Sequence, residues 1–313
     1  VNVRFWGVRG SVPTSLTTSD IRERLNAALY LLPTPPRDRQ ELSKAIDALP
    51  FYIRATFGGC TTCIEFNVND VPIILDMGTG ARPLGLSLLR RLPPERTIHV
   101  LITHFHWDHI QGWPFFLPCY DRTCTIHVYS VHQGLREMFE QQQHPRFCPA
   151  SLDDMPAKIQ FHVLKDNEPC RIGGADVTGI LMGHPAGTCG YRISAKGKTG
   201  VVMTDVELLT ATGEEKGIYR EFADKSDMVV VDAQYGKEDV VQKVTWGHSY
   251  IGDFVELFRD LDIARLCLFH YEPSYPDEVL ERLIDEAKRK VAAMDPKPKF
   301  EVAGAYEGLR IEL

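Results

Sequence analysis

No run in this 313-residue chain approaches the ~20 consecutive apolar residues of a membrane-spanning helix, so no membrane partner is expected. A basic stripe is missing as well. Lys and Arg number 35 against 42 Asp and Glu, a formal charge of −7, and RDRQ and KRK are short and locally balanced. Proteins that grip long nucleic acid usually carry such a stripe, so no long nucleic acid is expected as a partner. A small anion stays compatible, because a metal ion reverses the local field. Internal repeats and low-complexity tracts are lacking. The opening VNVRFWGVRGSVP has no basic segment leading into an apolar one, which argues against a secretory signal. Cysteine is present but dispersed: of eight, only Cys60 and Cys63 form a C-x-x-C, and no second pair completes a zinc ribbon. Reduced thiols and a cytoplasmic location follow as expectations. With 44% hydrophobic and 25% charged residues, the chain has the composition of a globular protein with a sizeable core.

At about 150 residues per domain the length admits two domains, yet α/β folds routinely exceed that in one piece. The reading is one domain over 1–313 with a helical insertion at about 14–52, a lid, a dimer contact or a plain surface hairpin; a homodimer is therefore open. Inside it, Ile21, Leu25, Ala28, Leu29 and Leu32 recur at helical spacing from Asp20 to Leu32, with Ser19 or Asp20 as N-cap and the PTPP at 33–36 as the stop. Gln40–Leu49 reads as a second helix. Strands are expected at 3–8, 62–68 and 71–76, the last two joined by an Asn69-Asp70 turn. More follow at 97–104, 123–130, 159–164, 176–182, 189–194, 200–204, 228–232 and 265–269. Helices are expected near 133–142, 250–260 and 277–293. Strands interleaved with helices indicate a layered α/β sandwich.

The chemistry concentrates in His104-Phe-His106-Trp-Asp108-His109, directly after an apolar strand. Three imidazoles and a carboxylate crowded at a strand end cost free energy unless something positive satisfies them, and a divalent metal does so. Alternate spacing lets His104 and His106 face one ion while Asp108 and His109 face another. Two sites need further ligands, and His184, Asp205 and His270 each close a β run, where loops collect functional groups on a rigid scaffold. His99, His127 and His162 read as polar-face strand residues, and His132 and His144 as background. Phe105, Trp107, Trp113, Phe115 and Phe116 are open to two uses, core packing or stacking on a substrate base.

With these residues in place the chain resembles the metallo-β-lactamase superfamily. The H-x-H-x-D-H motif matches in full, and the order His184, Asp205, His270 fits the later ligands. The resemblance implies a four-layer αββα sandwich. One ion would be held by His104, His106 and His184, a second by Asp108, His109 and His270, with Asp205 bridging. Asp76, in Asp76-Met-Gly78, would orient a metal-bound histidine. The closer resemblance is to the phosphodiesterase branch containing ribonuclease Z and the carbon–phosphorus-lyase accessory phosphodiesterase. It is carried by FWGVRGSVP (5–13), FGGCTTC (57–63), DAQY (232–235) and WGHS (246–249). There His248 would be a non-ligand histidine assisting the scissile phosphate and leaving group, oriented by Asp232. Cys60 stands where relatives commonly carry Asn, and Tyr271 where many carry a second His. The 14–52 block is longer, and the arm with which ribonuclease Z grips tRNA has no counterpart.

Two divalent ions ~3.5–4 Å apart can share a water and lower its pKa for in-line attack, with Asp108 among the catalytic groups. The expected function is thus a binuclear metal-dependent hydrolase of a small phosphodiester, a cyclic nucleotide or nucleotide-like ester, attacked by metal-bound hydroxide. The ions expected are zinc, with manganese or iron as alternatives. The competing reading keeps the site and changes the electrophile to a carbonyl ester, thioester, lactone or β-lactam. A flavodiiron reading is disfavoured because His106 stands where those proteins carry Glu.

Overall fold

The structure, a computed structural model, describes residues 1–32, 36–185 and 187–313. The first sheet has the order β14-β1-β2-β3-β4-β5-β6. It comprises β1 (Asn2–Gly7), β2 (Cys63–Val68), β3 (Val71–Leu75), β4 (Thr97–Leu101), β5 (Thr125–Ser130), β6 (Lys158–Val163) and β14 (Arg310–Glu312). The second runs β13-β12-β11-β10-β9-β8-β7, built from β7 (Cys170–Ile172), β8 (Ala175–Met182), β9 (Thr188–Ala195), β10 (Lys198–Met203), β11 (Met228–Asp232), β12 (Arg265–Phe269) and β13 (Glu301–Gly304). Strands β3 to β6 are parallel, as are β10 to β13, so several chain exits fall along one edge of the sandwich.

Apolar side chains of both sheets, Phe66, Ile73 and Leu75 from one and Val177, Tyr191 and Val201 from the other, form one continuous core. Helices cover the outer faces. Among the described residues, α4 (Ala81–Leu88) and α6 (Leu135–Gln142) lie over the first sheet, where Leu84, Leu88 and Phe139 join Ile74, Ile98 and Val128 in a second core. On the other side α7 (Gly213–Ala223), α9 (Asp253–Leu257) and α10 (Asp277–Ala293) bury Tyr219, Phe254 and Leu280. The result is the expected αββα layering. Strand β11, buried at all five positions, reads as the continuous apolar run typical of a parallel strand covered on both faces.

Local chemistry explains most boundaries. Asn69 and Asp70 both take positive φ, 53° and 67°, which makes the β2–β3 hairpin a tight turn of the primed type. In α10, Leu280, Leu283, Ile284, Ala287 and Val291 form one buried stripe. The inserted block folds as α1 (Thr18–Leu31), α2 (Arg39–Asp47) and α3 (Phe51–Arg54). The N-cap of α1 is Thr17, not Ser19 or Asp20; Asp20 instead closes a capping box with it. The stop expected at 33–36 lies, apart from Pro36, outside the described residues. No residue of α1 is buried, so its periodic apolar stripe faces solvent. The helix expected near 250–260 is only α9, because 246–252 form turns that serve the site.

Candidate metal centre

The side chains expected as metal ligands, and Asp232 with them, sit at or just beyond strand exits on that shared edge. His104 and His106 lie in the loop after β4. Asp108 and His109 lie in the short helix α5 (Trp107–Ile110), which follows at once. His184 follows β8, Asp205 follows β10, Asp232 ends β11 and His270 follows β12. The fold brings them together in sets whose donor atoms lie within 4.8 Å of one another: His104, His106 and His184; Asp108, His109, Asp205 and His270; and, overlapping the second, Asp205, Asp232, His248 and His270.

Between the sets stands Asp205. Its Oδ1 is 3.4 Å from Nε2 of both His109 and His270 and 3.8 Å from Nε2 of His104. On the first side His106 Nδ1 and His184 Nε2 are 3.1 Å apart. On the second, Asp108 Oδ2 lies 3.0 Å from His270 Nε2 and 3.3 Å from His109 Nε2, and it also accepts the Ser11 amide at 2.7 Å.

The far sides of the rings decide which nitrogens face inward. His109 Nδ1 meets Asp76 Oδ2 at 2.8 Å, His184 Nδ1 meets the Gly247 carbonyl at 3.0 Å, and His270 Nδ1 meets Gln234 Oε1 at 2.9 Å. Each partner accepts, so each Nδ1 carries a proton, and in the neutral ring each Nε2 presents a lone pair. Burial opposes a charge on His109, yet Asp205, Asp108 and Asp76 hold the ring well above its ordinary value. In the neutral rings that a metal would bind, His109 Nε2 and His270 Nε2 face one another at 3.2 Å, a contact that a cation between them makes attractive. His104 Nε2 and Asp205 Oδ1, both buried, have no hydrogen-bond partner among the described residues, and such orphaned atoms are costly. The donor set fits divalent cations: imidazole and carboxylate only, inward lone pairs, and outer hydrogen bonds already made. Burial pushes the His104 imidazole well below its ordinary value, which keeps it in the ligating form. Burial would raise Asp205, but His109, His270 and His104 hold it well below the usual carboxylate range.

His248 stands beside these sets. Its ring lies near-parallel to that of His270, centroids 5.1 Å apart, and its Nδ1 is 2.7 Å from Asp232 Oδ2. Asp232 is saturated: Oδ1 accepts the amides of Gln234 and Ser249, and Oδ2 accepts that of Asp205 as well as His248. It therefore has four donors and no exposure, and its donor oxygen lies within 4.8 Å of those of Asp205, His248 and His270. Burial opposes the charge on His248, yet Asp232 and its hydrogen bond, with Asp205 and Asp108 behind, hold the ring above its ordinary value.

Supporting residues escaped the sequence reading. Thr103 donates its amide and hydroxyl to Asp76, and buried Glu207 accepts the amides of Thr245 and Gly247. Gln234 lay within the DAQY segment, but its contact with His270 joins positions 36 apart and leaves no local pattern. The segment Asp76-Met-Gly78 is the floor under α5, with Met77 N on the His109 carbonyl at 2.7 Å. A Cβ on Gly78 would fall 2.3 Å from the Asp108 carbonyl. Among the aromatics, Trp113 and Phe116 are core, while Trp107 and Phe115 are each 60% exposed.

A family profile described as the β-lactamase superfamily domain matches residues 73–271, which span every histidine and carboxylate placed in the site. The chain belongs to the β-lactamase superfamily. It is 22% identical over 270 residues to a ribonuclease Z of Bacteroides thetaiotaomicron, covering 71% of this chain and 82% of that one. In fold it is similar to the metallo-β-lactamase-fold protein YhfI from Bacillus subtilis, with a TM-score of 0.65 at 15% identity over 99% of this chain and 98% of the other. The short form of human tRNase Z gives 0.60 at 15% identity over 100% and 99%. With this membership, the ligand sets make the superfamily protein a metal-dependent hydrolase. No helix among its described residues is long and apolar enough to cross a membrane.

Proposed function

We propose that this superfamily member hydrolyses phosphodiesters at a binuclear site, with His104, His106 and His184 holding one divalent ion, Asp108, His109 and His270 the other, and Asp205 shared between them. Zinc suits the nitrogen and oxygen donors, with manganese or iron as alternatives. Bound there, such ions activate a water and neutralise charge on the phosphoryl oxygens. The chain supplies the rest. Asp232 accepts a hydrogen bond from His248 Nδ1 and fixes the ring, so that in the protonated imidazole the opposite nitrogen gives its proton to the departing oxygen as the ester bond breaks. Gln234, Asp76 and the Gly247 carbonyl hold the ligand imidazoles in one orientation while substrate comes and goes.

The observation that carries this reading is the His248–Asp232 pair, 2.7 Å long and buried against the ligand sets. A phosphodiester has a leaving alkoxide that needs a proton, and a dedicated imidazole answers that need. The ribonuclease Z likeness points to the same bond type. The net charge of −7 favours a small substrate over RNA, since a long polyanion would meet self-repulsion away from the metals. The test is metal-replete protein assayed on bis-p-nitrophenyl phosphate, a structured RNA, nitrocefin, a lactone and a thioester. Metal-dependent turnover of the phosphodiester alone is expected. Turnover of a carbonyl substrate without the phosphodiester overturns the reaction class, and cleavage of RNA alone overturns the small substrate.

A further inference from the structure

An indole left in water forfeits the burial that makes tryptophan valuable to a core. Trp246 is 62% exposed, and a strained turn presents it. Thr245 has φ 74° and Gly247 φ 90°, so both neighbours lie in the left-handed region. That conformation is an outlier for a β-branched residue and persists only where the surroundings impose it. Here Glu207 imposes it, with Oε1 accepting the Thr245 amide at 2.8 Å and Oε2 the Gly247 amide at 2.9 Å. A buried carboxylate is thus devoted to the two peptide groups that bracket one exposed ring.

The turn is docked on the site from both sides. The Gly247 carbonyl meets His184 Nδ1 at 3.0 Å, and a Cβ at Gly247 would come within 2.2 Å of that nitrogen. Lys243 Nζ lies 5.8 Å from the centroid of the Trp246 ring and 4.4 Å from that of Tyr235, and Tyr235 meets His248 edge-on at 5.8 Å. One ammonium therefore links the exposed indole to the aromatic neighbour of the proton donor. A flat apolar face, fixed in water beside a phosphoryl-transfer site, matches the π-face that every nucleobase offers.

We propose that Trp246 is a stacking platform for a nucleobase, the residue that tells a nucleotide ester from a simple one. The proposal rests on the phosphodiesterase reading above and names the side chain that carries its selectivity. Two esters with one leaving group test it: thymidine 5′-(p-nitrophenyl phosphate) and methyl p-nitrophenyl phosphate. The ratio of their kcat/KM values is expected to fall roughly 5- to 100-fold in W246A, through KM for the thymidine ester, and to recover in W246F. A ratio in W246A within twofold of wild type overturns the platform, because a turn that merely supports His184 affects both esters alike. Intrinsic fluorescence is titrated with AMP in parallel. Saturable quenching in wild type that disappears in W246F supports stacking, and its absence in wild type or persistence in W246F overturns it. If wild type hydrolyses neither ester, the phosphodiesterase reading has failed by itself, and the AMP titration alone decides the platform.

Discussion

Asp205 Oδ1 and His104 Nε2 illustrate how much a few atoms carry. Both are buried and unpartnered among the described residues, and each such group costs ~1–3 kcal/mol. Replacing either side chain with alanine removes a donor from the middle of the site, so His104→Ala and Asp205→Ala are expected to lower bound metal and turnover together. Elemental analysis beside kinetics checks this, and full metal content in either variant contradicts the ligand assignment. His248 behaves differently because it touches the ligand sets without presenting an orphaned atom. His248→Ala is expected to keep its metal and lose roughly 10²- to 10⁴-fold in kcat on an alkyl leaving group. The loss should be much smaller with p-nitrophenolate, which needs no proton. Asp232→Asn should follow the same split. His104 and Asp205 were legible in the sequence because each closes an apolar run, and a strand exit is a local pattern, whereas His248 and Asp232 were singled out only through the resemblance carried by WGHS and DAQY. Glu207 and Thr103 were not, because their work is a contact between segments that only the fold brings together.

At the scale of elements, α5 and the turn after β3 are held backbone to backbone. Gly112 donates its amide to the Met77 carbonyl at 2.8 Å, and a Cβ there would lie 2.0 Å from the Gly78 carbonyl. No side-chain rotation relieves that clash, so Gly112→Ala is expected to destabilise the fold by ~1–3 kcal/mol and to loosen metal by shifting Asp108 and His109. Gly217 is the control. It lies inside α7 with nothing within 4 Å of a Cβ, and Gly217→Ala should stabilise by ~0.5–1 kcal/mol. Denaturant titration of both variants should give shifts of opposite sign. Glycine also explains an element that periodicity missed. In α4 the segment Ala-Arg-Pro-Leu-Gly looks like a helix breaker, yet Pro83 falls in the first turn, where its missing N–H is no loss. Gly85 admits Phe116 and Pro118, atoms of which lie 3.0 Å from its Cβ position. In α1 the reverse held: the spacing fixed the helix but could not say that its apolar stripe would face water, since that depends on what lies opposite.

For the whole molecule, the first sheet holds an imidazole stack that links stability to pH. His99 on β4, His127 on β5 and His162 on β6 lie across three parallel strands, with His99 and His127 rings stacked at 5.3 Å and His127 and His162 at 5.2 Å. They were expected as separate polar-face residues, but His127 Nδ1 is 3.0 Å from His162 Nε2 and His99 Nδ1 is 3.1 Å from the Tyr129 hydroxyl. Burial first, and then His127 and His162, lower His99 to about 4. The unfolded chain takes up this proton near pH 6.5 and the native fold does not. The stability it contributes is therefore complete above about 6.5 and is lost as pH falls from there toward 4. Other groups also change their charge with pH, so a single melting curve cannot isolate the effect, but a difference can. His99→Gln keeps a neutral partner for Tyr129 and removes the titration. Wild type minus variant Tm, measured with metal chelated in both, should be flat above pH 7 and fall steadily between 6.5 and 4. A difference that does not change with pH would mean that His99 gains its proton in the fold as readily as in the unfolded chain, and that the stack carries no strain between charged rings.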